Sequence, residues 1–197
     1  MKVRDSGMPE DERWSTFFDP EVILRAFGLD QGVETLVDFG CGYGTFTVAA
    51  ARLVSGTVHA LDIEPEMIET IRAKCLQEGV ANVRAEVRDF VAAGAGLPDN
   101  SVDAALLFNI LHHEDPLDLM REALRILKPG GRLAVIHWNY DPTTPRGPAL
   151  DIRPRPEHCI EWGKTAGFTF DEKERFDLRP YHYGLLFRKP ETGANRA

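Results

Sequence analysis

Residues 37–47 of this chain have the sequence VDFGCGYGTFT, with glycines at positions 40, 42 and 44. Apolar residues and an acid before the first glycine predict the end of a buried strand, and the residues after Gly44 predict a helix over 45–54. Because glycine lacks a Cβ atom, the backbone between them can turn sharply and a ligand can lie directly against it. The stretch therefore predicts a ligand-binding turn between a strand and a helix.

The spacing of the glycines separates two kinds of nucleotide site. A dinucleotide fingerprint has the form G-x-G-x-x-G. Here the third glycine falls one position early, at Gly44 rather than at position 45. This disfavours a nicotinamide-dependent oxidoreductase, and G-x-G-x-G is the pattern of S-adenosylmethionine (SAM) sites. A lone glycine motif is weak evidence, so the assignment depends on the motifs further along the chain.

Strands and helices alternate from residue 34 onward. The patterns predict strands over 35–39, 57–62, 82–88, 102–108 and 132–138, and helices over 45–54, 65–78, 116–127 and 157–166. Lys128-Pro129-Gly130-Gly131 is expected to end the third of these helices as a turn. Segments 168–176 and 181–189 lie too close together for a helix between them and predict an antiparallel hairpin.

This order predicts a Rossmann-like, doubly wound α/β fold with a mostly parallel seven-stranded sheet. We expect helices on both faces and an antiparallel C-terminal hairpin. The predicted organisation is an N-terminal helical cap segment (1–30), one domain (31–190) and a disordered tail (191–197). Residues 139–156, rich in proline, are expected to form a loop or lid.

Composition indicates which partners and which cellular compartment to expect. The chain has 197 residues and a net charge of −8, which argues against DNA because phosphate binding needs clustered Lys and Arg. Arg146, Arg153 and Arg155 are separated by prolines and are interpreted as a solvated loop. The odd number of cysteines lacks C-x-x-C spacing, so we expect reduced thiols in the cytoplasm. No run of about 18 apolar residues exists, so we expect no membrane insertion.

Acidic residues follow two predicted strands, where ligands of such sheets bind. Asp62 can accept hydrogen bonds from a ribose diol, or it can cap the helix that begins near Pro65. Asp89 can accept from an adenine amino group with Phe90 on the ring, or the two are a turn acid and a core aromatic. Met67 can lie on an adenine face or fill the core.

The motifs together resemble one family. VDFGCGYGTFT, HALDIEPEM, VRDF, FNILHHEDP and LKPGGRL follow one another over about residues 34–138. In order and spacing they resemble class I SAM-dependent methyltransferases, and within them the type 11 small-molecule group that includes ubiquinone and menaquinone biosynthesis methyltransferases. Five motifs in register are far more specific than any one of them.

The resemblance implies a set of cofactor-binding residues. Asp38, Gly40, Gly42 and Gly44 would hold the methionine part of SAM, and Asp62 would bind the ribose. Ile63, Asp89 and Phe90 would meet the adenine, and Asn109 would contact the methionine end. The expected set is completed by Cys41, Tyr43, Met67 and Ile110, with the Cys41 thiol packed rather than catalytic.

Two histidines are the candidate catalytic residues. His112 and His113 follow strand four, and histidine titrates near neutral pH, so either can act as a base if the acceptor must lose a proton. The alternative is that they face the core or cap the next helix. His137, with Trp138 and Tyr140, is expected beside the methyl site. We expect no metal site, because adjacent loop residues rarely converge on one ion.

We expect an enzyme that transfers the methyl group of SAM to a small, partly apolar or aromatic acceptor and releases S-adenosylhomocysteine. Residues 1–30 and 139–156 are the segments available to cover the acceptor. The alternatives are a SAM-binding protein without catalysis and a methyltransferase that acts on a protein or RNA. The chain is expected to be a monomer or homodimer.

Overall fold

The computed structural model describes residues 17–191. Trp14, the first part of the predicted cap segment and residues 192–197 of the predicted tail lie outside these residues. The described chain contains six α-helices and seven strands. The helices are α1 (Pro20–Ala26), α2 (Thr45–Leu53), α3 (Pro65–Gln77), α4 (Phe90–Ala93), α5 (Pro116–Ile126) and α6 (Pro156–Ala166). The strands are β1 (Thr35–Phe39), β2 (Thr57–Asp62), β3 (Val83–Val87), β4 (Val102–Phe108), β5 (Leu127–Trp138), β6 (Arg175–Leu178) and β7 (His182–Arg188).

The seven strands form one sheet in the order β3-β2-β1-β4-β5-β7-β6. The strands from β3 to β5 pair in parallel, and β7 runs antiparallel to both β5 and β6. The predicted fold class is therefore confirmed. The strand order reverses between β1 and β4, so the carboxyl ends of these two strands border the crevice where such sheets bind ligands.

The sheet is buried on both faces. Leu106 belongs to the apolar cluster that packs with α1 and α2, whereas its neighbour Leu107 belongs to the cluster that packs with α5 and α6. This alternation explains the nearly continuous apolar sequence of β4, because successive side chains of a strand point to opposite faces. The rigid central strands thus fix the position of the loops at their carboxyl ends.

The predicted turn at 128–131 is wrong. Helix α5 ends at Ile126 and β5 begins at Leu127, so the Lys-Pro-Gly-Gly stretch lies inside the strand. The pairing between β4 and β5 shifts register between Val102 and Ala104, which accommodates the additional residues as an irregularity of the strand. Gly130 adopts φ 76° and its N–H donates to the carbonyl of Lys189 at 2.9 Å.

The predicted strand at 168–176 is also wrong in its extent. Strand β6 begins only at Arg175, and the segment before it contributes one isolated bridge, from Thr169 to Arg188. Asp171 accepts a hydrogen bond from the N–H of Lys173 at 3.0 Å and starts a single 3-10 turn, Glu172–Glu174. A polar side chain that bonds the local backbone in this way competes with strand pairing.

Aspartates cap two short helices of the described chain. In the described part of the predicted cap segment the helix is α1, and Asp19 caps it by accepting from the N–H of Val22 at 3.2 Å. The short helix α4 was not predicted. Its N-cap is Asp89, whose Oδ1 accepts from the N–H of Ala92 at 3.0 Å.

Candidate active site

The glycine loop, residues 40–44, joins β1 to α2 and packs between the ends of β2 and β4. The N–H groups of Gly40 and Cys41 both donate to the carbonyl of Leu61, at 2.8 and 3.1 Å. Gly40 adopts φ 68°, and a Cβ atom placed on it would lie 2.9 Å from Cγ2 of Ile110. Glycine is therefore required at position 40 both by the backbone angle and by the close approach of the residue after β4.

Asp62 ties the glycine loop to the end of β2. Its Oδ2 accepts from the N–H of Gly42 at 2.9 Å, and its Oδ1 accepts from the N–H of Glu64 at 3.0 Å. The N-cap of α3 is Glu64 rather than Asp62. An ionised carboxylate has about four acceptor positions, so lone pairs remain on both oxygens for a second set of donors.

Asp38 is a buried carboxylate at the end of β1. Its Oδ2 accepts from the hydroxyl of Thr47 at 2.6 Å. Burial raises the pKa of Asp38 to about 6, with the Thr47 bond opposing and the Asp62 charge adding to the rise. Burial, Asp38 and Asp62 together raise the pKa of the Cys41 thiol well above its usual value. The thiol therefore stays protonated at neutral pH, which does not suit a nucleophile.

The residues expected around an adenine lie at the ends of β2 and β3. Ile63, after β2, and Met67, in the first turn of α3, are partly buried, and so is Tyr43 of the glycine loop, another member of the expected cofactor set. Asp89 uses Oδ1 to cap α4, and Phe90 is buried with its ring edge-to-face on Phe39 at 5.3 Å. Ile63 and Asp89 thus follow two strands that pair in parallel, while Phe90 packs in the core.

Asn109 presents an unusual amide at the end of β4. It adopts φ 57°, which is uncommon for a residue other than glycine, and its N–H donates to the carbonyl of Ile136 at 2.7 Å. Its side chain is buried, and neither Nδ2 nor Oδ1 has a hydrogen-bond partner among residues 17–191. A buried amide without partners is unfavourable by about 1–3 kcal/mol, and a bound polar ligand would remove that cost.

The two candidate histidines have different surroundings. Nδ1 of His113 accepts from the N–H of Asp115 at 3.0 Å, so this ring holds the turn before α5. Nδ1 of His112 lies 3.4 Å from Nε2 of His137. His137 is fully buried, and burial lowers its pKa well below the usual value, with smaller contributions from His112, His182 and Arg153. His137 is therefore neutral at physiological pH.

Arg153 organises the loop between β5 and α6. Its guanidinium is buried and donates to the carbonyl of Pro148 at 2.7 Å, to the carbonyl of Asn139 at 2.9 Å and to the hydroxyl of Thr144 at 2.6 Å. The interpretation of this region as a solvated loop is wrong for Arg153. No local pattern distinguishes this arginine from its neighbours, because most of its acceptors are backbone atoms of the folded loop.

An aromatic cluster covers the ends of β5 and β7; its members are Phe17, Phe18, Trp138, Tyr181 and His182. The ring of Phe17 lies edge-to-face on both Trp138 (5.7 Å) and Tyr181 (5.6 Å). Phe18 lies 4.4 Å from His182 and 5.1 Å from Phe46, the second residue of α2. Burial lowers the pKa of His182 to about 3. The residues before α1 therefore bridge the glycine-loop helix and the far strands.

A surface groove of about 630 Å³ lies between α1, α2 and α3. Gly44 and Thr45 line it, but Asp38, Asp62 and Asn109 do not. Within residues 17–191, no three His, Cys, Asp or Glu side chains form a group that could hold a metal ion. No helix in the described part of the chain has the length and apolar character needed to cross a membrane.

Comparison with known proteins identifies the fold and the motifs. A family model described as "Methyltransferase domain" matches residues 37–135. A ubiquinone biosynthesis O-methyltransferase of Xanthomonas axonopodis pv. citri is 36% identical over 117 residues, which are 58% of this chain and 47% of that protein. A solved SAM-dependent methyltransferase from Aquifex aeolicus is 27% identical with a TM-score of 0.80, covering 91% of this chain and 93% of that one.

The curated relatives are longer than this chain. An uncharacterised 37.1 kDa protein of a Streptomyces fradiae transposon is 36% identical over 134 residues, which are 66% of this chain but only 37% of that protein. The chain thus spans less than half the length of these curated relatives. The region matched by the family model contains the glycine loop and the ends of β1 to β4.

Proposed function

This chain belongs to the methyltransferase-domain family, with the class I SAM-dependent fold, and we propose that it transfers the methyl group of SAM to a small, partly apolar or aromatic acceptor. The observation that carries the proposal is the Asn109 amide, buried without partners among residues 17–191, next to Ile110, which packs against Gly40 of the glycine loop. Its donor and acceptor atoms match a ligand with both kinds of group, as the amino acid end of SAM has. The acceptor we propose is not DNA, since the net charge is −8.

The residues at the ends of β1 and β2 suit the cofactor. In the proposal, the remaining lone pairs of Asp62 accept from the ribose hydroxyls while Gly42 and Glu64 hold the carboxylate in place. Asp38 places a negative charge near the amino acid end. Gly40, Cys41, Tyr43 and Gly44 supply the close backbone surface. Ile63, Met67, Asp89, Phe90 and Ile110 border the adenine and methionine ends.

In the proposed reaction, the main tasks of the protein are to position the methyl donor and the acceptor and to exclude water from the site. When bound, SAM supplies a methyl group already activated on a sulfonium centre. Holding the two reactants at near-attack distance contributes roughly 7–11 kcal/mol to such reactions. The aromatic cluster and the loop held by Arg153 exclude water on the β5–β7 side. Aromatic rings at this position also favour an acceptor with an aromatic or apolar face.

Proton transfer, where the acceptor requires it, is assigned to His112. Its Nδ1 lies 3.4 Å from Nε2 of the neutral His137 ring, and this contact orients the His112 imidazole. His113 is the less suitable base, because its Nδ1 is occupied by the N–H of Asp115. Replacement of His112 by Gln should therefore lower turnover with acceptors of high pKa and spare acceptors that are already ionised.

The decisive experiment is an acceptor screen that measures release of S-adenosylhomocysteine, preceded by calorimetric titration with SAM and with NAD. We expect SAM to bind, NAD not to bind, and turnover with small phenolic or other aromatic acceptors. Binding of NAD without SAM would disprove the proposal. SAM binding without turnover across phenols, amines, thiols, peptides and RNA would favour a SAM-binding protein without catalysis.

A further inference from the structure

We infer that Thr47 is a positioning residue for the cofactor: its hydroxyl holds the Asp38 carboxylate in place and ionised for the ammonium group of SAM. This inference rests on the proposed function. Thr47 belongs to none of the expected cofactor-binding residues, since it lies beyond the glycine loop, in the first turn of α2. It does not touch the ligand in this scheme and acts only through Asp38.

The hydrogen bond from Thr47 to Asp38 is short and shielded from water. Thr47 is 0% exposed and Asp38 is 3% exposed, and Oγ1 of Thr47 lies 2.6 Å from Oδ2 of Asp38. A threonine inside a helix commonly bonds the carbonyl four residues earlier. In this helix that carbonyl belongs to Tyr43 and already accepts from Nζ of Lys74 at 2.9 Å. The Thr47 hydroxyl donates instead to the Asp38 carboxylate, a charged acceptor that forms the stronger bond.

Asp38 has no cationic partner of its own within residues 17–191. The titratable groups that face it are Asp62 at the end of β2 and Cys41 in the glycine loop. The β4 residue beside it in the sheet, Leu106, is apolar. A buried carboxylate next to another carboxylate is unfavourable unless hydrogen bonds or a cation stabilise it. SAM carries an ammonium and a sulfonium group and so supplies the missing positive charge.

The Thr47 bond favours the ionised form of Asp38. With the bond in place, the pKa of Asp38 is raised by burial to about 6, so the group is mostly ionised at pH 7. Loss of one hydrogen bond to the ionised form raises such a pKa further, by about one unit or more. Without the hydroxyl, about half or more of Asp38 would then be protonated at pH 7, and binding of the cationic ligand would compete with that proton.

The test compares the Thr47→Val and Thr47→Ser variants with the unmodified protein by calorimetric titration with S-adenosylhomocysteine at pH 6.5 and at pH 9. We expect Thr47→Val to bind roughly three- to tenfold more weakly at pH 6.5 and within about twofold at pH 9. Thr47→Ser keeps the hydroxyl and should restore the affinity at both pH values. Thr70→Val is the matched control, because the Thr70 hydroxyl bonds only its own helix, at Glu66.

Each result has a distinct meaning. If the unmodified protein does not bind S-adenosylhomocysteine, the proposed function itself fails. If it binds and Thr47→Val is unchanged, or is weakened by one factor at both pH values, the positioning role of Thr47 is overturned. Carboxyl-carbon NMR of the unmodified protein covers the case of a variant that does not fold. In that measurement, binding of S-adenosylhomocysteine should lower the pKa of Asp38. An Asp38 pKa that is the same with and without the ligand would overturn the inference.

Discussion

On the β1–β2 side of the site, both carboxylates are hydrogen-bonded, whereas on the β4–β5 side two buried polar groups have no partner among residues 17–191. Asp62 bonds Gly42, and Asp38 bonds Thr47, so both carboxylates are oriented before any ligand arrives. Across the crevice, the Asn109 amide and Nδ1 of His137 are buried without partners. The two carboxylates are thus oriented in advance, and under the proposed function it is the ligand that completes the hydrogen bonds of the Asn109 amide.

The two sides also differ in what holds them. The bonds of the β1–β2 side join residues 9 and 20 positions apart. On the β4–β5 side, His137 stacks on Tyr183 at 6.3 Å and Trp138 lies 4.2 Å from His182. The contacts that orient the Asp38 and Asp62 carboxylates therefore lie within residues 38–64 of the chain. The ring contacts of the β4–β5 side join segments that meet only in the folded chain.

The largest effect we expect is on the β1–β2 side. Asp62→Ala removes the acceptor of Gly42 and the proposed ribose contact together. It should weaken binding of S-adenosylhomocysteine by about 3 kcal/mol, roughly a hundredfold. Calorimetric titration measures this, with Glu66→Ala, an exposed acid of the neighbouring helix α3, as the control. Unchanged affinity would leave Asp62 with a structural role only.

On the β4–β5 side, we expect a change of similar size, but in the stability of the fold rather than in cofactor affinity. Arg153→Met leaves the carbonyls of Pro148 and Asn139 without their donor and should lower the free energy of unfolding by about 2–3 kcal/mol. Because the site at β1 and β2 is independent of this loop, affinity for S-adenosylhomocysteine should change by less than about twofold.

Urea unfolding and calorimetry give the two values for Arg153→Met. Arg155→Met is its control, since Arg155 is exposed and its guanidinium lies 3.8 Å above the Tyr140 ring. The control should change stability by less than about 1 kcal/mol. A large loss of cofactor affinity in Arg153→Met would show that the two sides are coupled and would remove the distinction between them.

Asp38→Asn should stabilise the free protein while it weakens cofactor binding. The pKa of Asp38 is raised from 3.8 to about 6, so its contribution to stability is fully present below pH 3.8 and is lost as pH rises through 6. Above that window the ionised group costs about 2–3 kcal/mol, which the amide avoids. Urea unfolding should show the gain of the variant at pH 8 and a gain of only about 1 kcal/mol at pH 4.5.

The pH dependence distinguishes the stability change caused by Asp38→Asn from the pH-dependent contributions of other buried groups. His182, whose pKa is lowered to about 3, destabilises both proteins equally as pH falls below about 6.5, so it cancels in the difference. An Asp38→Asn variant that is less stable than the unmodified protein at pH 8 would contradict the assignment of Asp38 as a buried charge.

The smallest effect concerns Asn109, whose amide has no partner among residues 17–191 to lose in the free protein. Asn109→Gly tolerates the positive φ and should change the free energy of unfolding by less than about 1 kcal/mol. It should weaken binding of S-adenosylhomocysteine by roughly tenfold. Asn100→Gly is the matched control, with φ 55° and a side chain that accepts from Nζ of Lys189.

The Asn100→Gly control should lose stability and keep its affinity for S-adenosylhomocysteine. Asn109→Gly should do the opposite: keep its stability and lose affinity. Unfolding and titration of both variants therefore test whether the unpaired amide serves a ligand. Equal affinity for the ligand in Asn109→Gly and the unmodified protein would remove the observation on which the proposed function depends.

Sequence patterns predicted the strands well where the pattern of apolar residues within the strand itself determines the structure. The apolar run of β4 and the period of most other parallel strands predicted their positions to within a residue or two. The prediction of a turn at residues 128–131 was wrong because proline and a glycine pair usually end a helix or strand. In the fold, the strand continues through them by shifting register against β4.

The sequence by itself determined the fold class and the glycine loop, because strand periodicity and glycine spacing are properties of adjacent residues. Only the tertiary structure decided that Thr47 bonds Asp38, that His137 meets His112 and that Arg153 is buried. Those contacts depend on which strands become neighbours and on how loops close over their ends. The physical reason is that a hydrogen bond is set by distance in space, and the order β3-β2-β1-β4-β5-β7-β6 brings together residues that the chain separates.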